Sequence, residues 1–162
     1  MAKFAEGTEV PAERSRAEIE KTLTRFGADQ FMYGWKGEGA AIAFHAKGRH
    51  IRFTLPMPKP SDVARTGRGN TRTGAALDLA MDQEIRRRWR ALALCIKAKL
   101  ESVATGIETF EDSFMAHMIL PNGQSMAEHV HPLLEQAYRD GKMPPLLPHI
   151  RASDSSASGG GQ

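Results

Sequence analysis

The stretch Leu77–Ile107, LDLAMDQEIRRRWRALALCIKAKLESVATGI, decides the fold. Its apolar residues fall at Leu77, Met81, Ile85, Trp89, Leu92, Ile96, Leu100, Val103 and Ile107, always three or four apart. That spacing draws one apolar stripe along an α-helix of roughly thirty residues, against a usual length of ~11–12. Beside the stripe lies the densest basic cluster of the chain: Arg86, Arg87, Arg88 and Arg90, then Lys97 and Lys99. With about 100° of turn per residue, Arg86, Arg90 and Lys97 share one flank of the stripe. Arg88 and Lys99 share the opposite flank.

A helix with so long a stripe needs an apolar partner, and the residues upstream supply one. Phe31, Tyr33 and Trp35 alternate with Gln30, Met32 and Gly34; Ile42 and Phe44 alternate with alanines; Ile51, Phe53 and Leu55 alternate with His50, Arg52 and Thr54. Short turn-forming links at Lys36–Gly39 and Lys47-Gly48 make these a three-stranded antiparallel meander with one apolar face. Phe31, Tyr33 and Trp35 are expected in its core. The outward face offers Lys36, His45, Lys47, His50 and Arg52. Ahead of the meander, Ser15–Glu18 reads as a capping box and Ile19, Leu23 and Phe26 as a short amphipathic helix closed by Gly27.

Downstream, Thr109–Asp112 can cap another helical turn, and Phe114–Leu120 (FMAHMIL) reads as a fourth strand or a helix. Pro121-Asn122-Gly123 is a turn, and Ser125–Glu128 opens a helix to about Arg139, with a kink expected at Pro132. Met143–Pro148 favours an extended polyproline-like path. The predicted fold class is therefore α+β: short helix, three-stranded antiparallel meander, one long helix, a possible fourth strand and a C-terminal helix. The expected organisation is a flexible arm at 1–14, one domain at 15–151 with a basic mobile loop at 56–76, and a disordered tail at 152–162.

The composition is that of a soluble globular protein, 41% hydrophobic and 25% charged. No apolar run approaches the ~18–20 residues of a membrane span, and the N-terminus lacks the apolar core of a signal peptide. A cytoplasmic protein is expected. Cys95 is the only cysteine, which excludes an internal disulfide, and a buried place in the long helix is expected for it.

Charge is distributed unevenly. The net +3 of the chain divides into +9 for residues 47–99, where 13 Lys and Arg face 4 acids, and −1 and −5 for the segments before and after. A basic middle points to a polyanion, unless the acidic ends fold back on it. The residues expected to carry nucleic-acid binding are Lys59, Arg65, Arg68 and Arg72 of the loop and Arg86, Arg87, Arg90 and Lys97 of the helix. Such contacts go to phosphates, are sequence-independent and weaken with salt.

DNA is favoured over RNA as the partner, with an acidic protein as the alternative: the chain would then be a host-factor inhibitor or a phage assembly component. Self-association is compatible with either. Enzymatic signatures are weak. His129 and His131 point to different helix faces, no cysteine or carboxylate pattern completes a metal site, and no P-loop, nucleophile elbow or dinucleotide fingerprint is present. Glu101, Glu108, Glu111 and Asp112 could serve a magnesium-dependent nuclease, but cap and solvent roles explain them better. No catalytic residue, metal or cofactor is assigned.

From RWRALALCIKAKLE through GIETFEDSFMAHMILPNGQSMAEH to GKMPPLLP, roughly Arg88–Pro148, the chain resembles small proteins of unassigned role encoded by phages and prophages of proteobacteria. The resemblance implies a phage setting, hence a host cytoplasm, and nothing about activity. The order helix, meander, long helix is also similar to that of double-stranded RNA-binding domains and of the core of phage single-strand annealing proteins, an analogy of topology alone. The helix here is longer than in the former, and Ala76–Asp82 at its start holds no cation.

Overall fold

The computed structural model describes residues 3–36 and 39–143, with side chains for 12–35 and 39–143. The chain divides into two units, Met1–Met126 and Ala127–Gln162. In the first, α1 (Lys3–Phe26) leads into β1 (Gln30–Lys36), β2 (Gly39–Ala46) and β3 (Arg49–Pro56). Then come the single turn α2 (Pro60–Val63), the long α3 (Gly74–Ala104) and α4 (Phe110–Phe114), which runs on into one 3₁₀ turn at Met115–His117. The second unit holds α5 (Met126–Asp140), which passes through Pro132. This is the α+β fold the apolar periodicity predicts. The polyproline segment from Pro144 on and the tail lie outside the described residues.

The sheet order is β1-β2-β3, antiparallel throughout. Its register sets Phe31 opposite Phe44 and Tyr33 opposite Ile42, with Ile42 opposite Phe53 and Phe44 opposite Ile51 on the other side. Directly opposed residues share a face, so one side of the sheet is aromatic and branched. Against it pack Ile19 and Leu23 of α1 and Ile85, Trp89, Leu92, Ile96 and Leu100 of α3. Phe114 of α4 fills the end of this core, edge-on to both Phe44 and Phe53. The tight β2–β3 turn needs two residues in the left-handed region, Lys47 (φ 53°) and Gly48 (φ 74°).

Several expectations are corrected. Helix α1 begins at Lys3, so the expected arm at 1–14 is helical from that residue. Its Ala, Glu, Lys and Arg content favours helix despite the lack of an apolar stripe, and the Ser15–Glu18 box lies inside the helix. Helix α3 stops at Ala104, before the predicted Ile107. Gly106 takes φ 74° and the amides of Thr105, Gly106 and Ile107 turn back onto carbonyls of the last turn, leaving Ile107 79% exposed. Cys95 is exposed; six residues on from Trp89, it faces about 120° away from the buried side. Trp35 is 58% exposed at the sheet margin, edge-on to Tyr33, so only part of the β1 aromatic row is core.

The run 114–120 forms no full fourth strand. Thr109 caps α4 by accepting from the Asp112 amide at 3.1 Å, and the helix consumes the first residues of the run. What remains of strand character is two isolated bridges, Met118 with Ile51 and Ile119 with Ser125.

Candidate nucleic-acid interface

The cations of α3 meet two different environments. On one flank, Arg88 donates to Glu84 Oε1 at 3.0 Å and to the Pro56 carbonyl at 2.7 Å, and lies 3.5 Å from Asp62 of α2. Lys99 donates to the Ser113 carbonyl at 2.6 Å, with its ammonium 5.8 Å from the Phe114 ring centre. These two side chains tie α3 to the end of β3, to α2 and to α4. Arg87, next to them, grips both oxygens of Glu84 at 2.8 and 2.9 Å. Those bonds from Arg87 and Arg88 pull the Glu84 carboxyl from its ordinary 4.5 down to about 2, and Glu84 in turn holds the Arg87 guanidinium more firmly protonated.

The other flank borders α1. Arg90 reaches Glu18 at 3.3 Å, and seven residues further along each helix Arg25 and Lys97 line a common hollow. Contacts that advance together show that α1 and α3 run parallel, residue i beside residue i+72. On α1, Arg14, Lys21 and Arg25 fall within a band of about 60° that also holds Glu18; on α3, Arg86, Arg90 and Lys97 fall within about 40°. All six cations are exposed. The seam between the helices is thus bordered by six cations and two carboxylates, Glu18 and Glu101. Among the described residues, Arg14, Lys21, Arg25, Arg86 and Lys97 make no ion pair. Each row spans twelve residues, eleven steps of 1.5 Å or about 16 Å.

The structure therefore keeps Arg86, Arg90 and Lys97 together and adds Arg14, Lys21 and Arg25, which the sequence reading passed over. Their signal is the 14, 18, 21, 25 spacing, three or four apart like the stripe. Arg87 lies outside the seam.

The loop is more ordered internally than its composition suggests. Lys59 N–H donates to Asp62 at 2.9 Å to start α2, Arg65 and Thr71 form a bridge, and Thr66 and Asn70 close the turn between them. Arg72 is spent inside this turn, its Nη1 donating to the carbonyls of Val63 at 2.7 Å and Arg65 at 2.9 Å. Arg65 and Arg68 remain exposed. Arg88 anchors α2 on the flank of α3 opposite the seam.

The hollow at the end of the seam has a volume of about 340 Å³ and is lined by Thr22, Arg25, Phe26, Lys97, Leu100, Glu101 and Ala104. Phe26 is stacked on Phe110 at 6.0 Å, and Lys47 holds its ammonium 5.7 Å from the same ring. The outward sheet face carries a second hollow, about 370 Å³, that includes Met32, Ala43, His45, His50 and Arg52. There His45 bonds Asp29 at 2.6 Å and lies against His50, and Arg52 donates to the Gly123 carbonyl at 3.1 Å.

The acidic residues downstream are occupied. Glu108 accepts from Ser102, Asp112 from Thr109, and Glu111 lies 3.9 Å from Arg49. Among the described residues, no three His, Cys, Asp or Glu side chains are placed to hold a metal ion, and no helix is long and apolar enough to cross a membrane.

The fold and this seam define an α+β protein with a cationic two-helix face. No protein-family model matches the chain, and neither a curated protein nor a solved structure matches it.

Proposed function

We propose that the protein binds nucleic acid, without catalysis, by laying the phosphate backbone along the α1–α3 seam. The observation that carries this is the double row of six exposed cations, five of them without an ion-pair partner among the described residues. A row of about 16 Å is long enough for several successive backbone phosphates to meet cations at once. Rigid helices set the spacing, and backbone contacts of this kind position a strand without reading its sequence. Arg65 and Arg68 extend the contact if the strand continues past the seam. Arg87, Arg88, Lys99 and Arg72 serve the fold.

The test is a salt series of binding by the full chain. Wild-type protein is expected to bind at ~50 mM salt, with log K falling steeply against log salt. Changing Arg86, Arg90 and Lys97 together to alanine is expected to flatten that slope by about 2–3. An unchanged slope, or no binding by the wild type, refutes the reading. Retention of an acidic protein from nuclease-treated lysate, with no oligonucleotide binding, would instead assign the seam to a protein partner.

A further inference from the structure

We propose that the hollow at the end of the seam takes one unpaired nucleotide, which makes the ligand single-stranded rather than duplex. The inference rests on the seam reading and adds to it. A surface that met only a duplex backbone would need cations alone. This hollow sets Arg25 and Lys97 beside the apolar side chains of Leu100, Ala104 and Phe26. The Phe26 ring already stacks on Phe110 and lies near the Lys47 ammonium, so Leu100 and Ala104 rather than that ring receive the base. At about 340 Å³ the hollow lies at the lower end of the ~300–1,000 Å³ typical of small-ligand sites, enough for a nucleotide and little more.

Glu101 decides the chemistry of that nucleotide. This residue lines the hollow, and its carboxylate makes no ion pair or side-chain hydrogen bond among the described residues. Next to a phosphate it is unfavourable. Next to a base it accepts from N–H groups, and guanine alone presents two adjacent ones, N1–H and the exocyclic amine, to a two-oxygen acceptor. In a duplex N1–H is taken up by pairing, and drawing the base out costs a few kcal/mol, so the two groups are free together only on an unpaired base. The site therefore places a phosphate between Arg25 and Lys97 and a guanine edge on Glu101.

The experiment is fluorescence anisotropy of the full chain with three labelled 12-nucleotide probes: oligo-dT, oligo-dT with central guanines, and a duplex of the latter. The guanine-bearing single strand is expected to bind about tenfold tighter than the other two. Glu101→Gln is expected to remove most of that preference, and Ala104→Leu, which fills the hollow, to weaken both single strands while leaving the duplex unchanged. Equal binding of all three probes with both variants silent overturns the nucleotide site and leaves the seam standing. No binding of any probe at ~50 mM salt overturns the seam and the site together.

Discussion

Arg88 and Lys99 on one side of α3, and Arg86 and Lys97 on the other, are the same chemistry put to different uses. The first pair sits where carbonyls of Pro56 and Ser113 and the carboxylates of Glu84 and Asp62 converge, so each cation is an internal tie. The second pair stands on the border of a seam whose neighbour, α1, offers cations of its own and one paired acid, Glu18. A cation surrounded by acceptors works for the fold, whereas one surrounded by cations raises the local potential and works outward. Basic residues a turn apart on one helix are thus not one patch.

The comparison can be broken in several ways. Trp89 lies between the two flanks with its ring fully buried and 5.5 Å from Tyr33. Trp89→Ala is expected to cost ~3–5 kcal/mol in urea unfolding, and a smaller loss would mean the flanks do not share one core. Arg88→Ala is expected to cost ~1.5–3 kcal/mol, because it strands acceptors at the end of β3 and beside α2. Arg86→Ala, by contrast, should stay within ~0.5 kcal/mol of wild type. Equal costs for Arg86 and Arg88 would erase the distinction.

A pH measurement sharpens it. His117 lies stacked on Phe53 at 3.9 Å; burial, and then the Lys99 charge, lower its pKa below the ordinary 6.5. The unfolded chain therefore takes up this proton first. The stability that neutral His117 contributes is complete above pH 6.5 and is lost as pH falls from there toward the lowered folded value. Lys99→Met is expected to move the His117 titration, followed by NMR, back upward, and an unmoved titration would detach Lys99 from this packing. Glu84 acts in a lower window: its contribution is whole above 4.5 and disappears as pH falls through about 2. A modest effect concerns α4, where Thr109→Ala should cost ~1 kcal/mol through its lost cap.

The long helix and the meander were legible in the chain because both are written in periodicities that burial enforces. The stripe from Met81 to Leu100 and the alternation in β2 and β3 could not be satisfied in any other way. The helix ends were less legible. Ile107 continues the apolar spacing, but Gly106 stops the helix first, and α1 extends upstream of a good capping box.

The seam was half legible. The flank of Arg86, Arg90 and Lys97 follows from helix geometry alone, whereas its partnership with Arg14, Lys21 and Arg25 depends on the parallel packing of two helices 72 residues apart. Arg72 shows the opposite limit. Its place in a Gly- and Arg-rich loop suggests a free cation, and only the folded turn reveals that two backbone carbonyls hold it.

On this reading one flank of α3 binds and the other braces. The most direct measurement pairs two variants, Arg86→Glu with Lys97→Glu and Arg88→Met with Lys99→Met, in the same oligonucleotide salt series and the same urea titration. The first pair is expected to abolish binding at ~50 mM salt with the unfolding midpoint held, and the second to lower the midpoint while the folded protein binds as wild type. Wild-type binding by the first pair would contradict it.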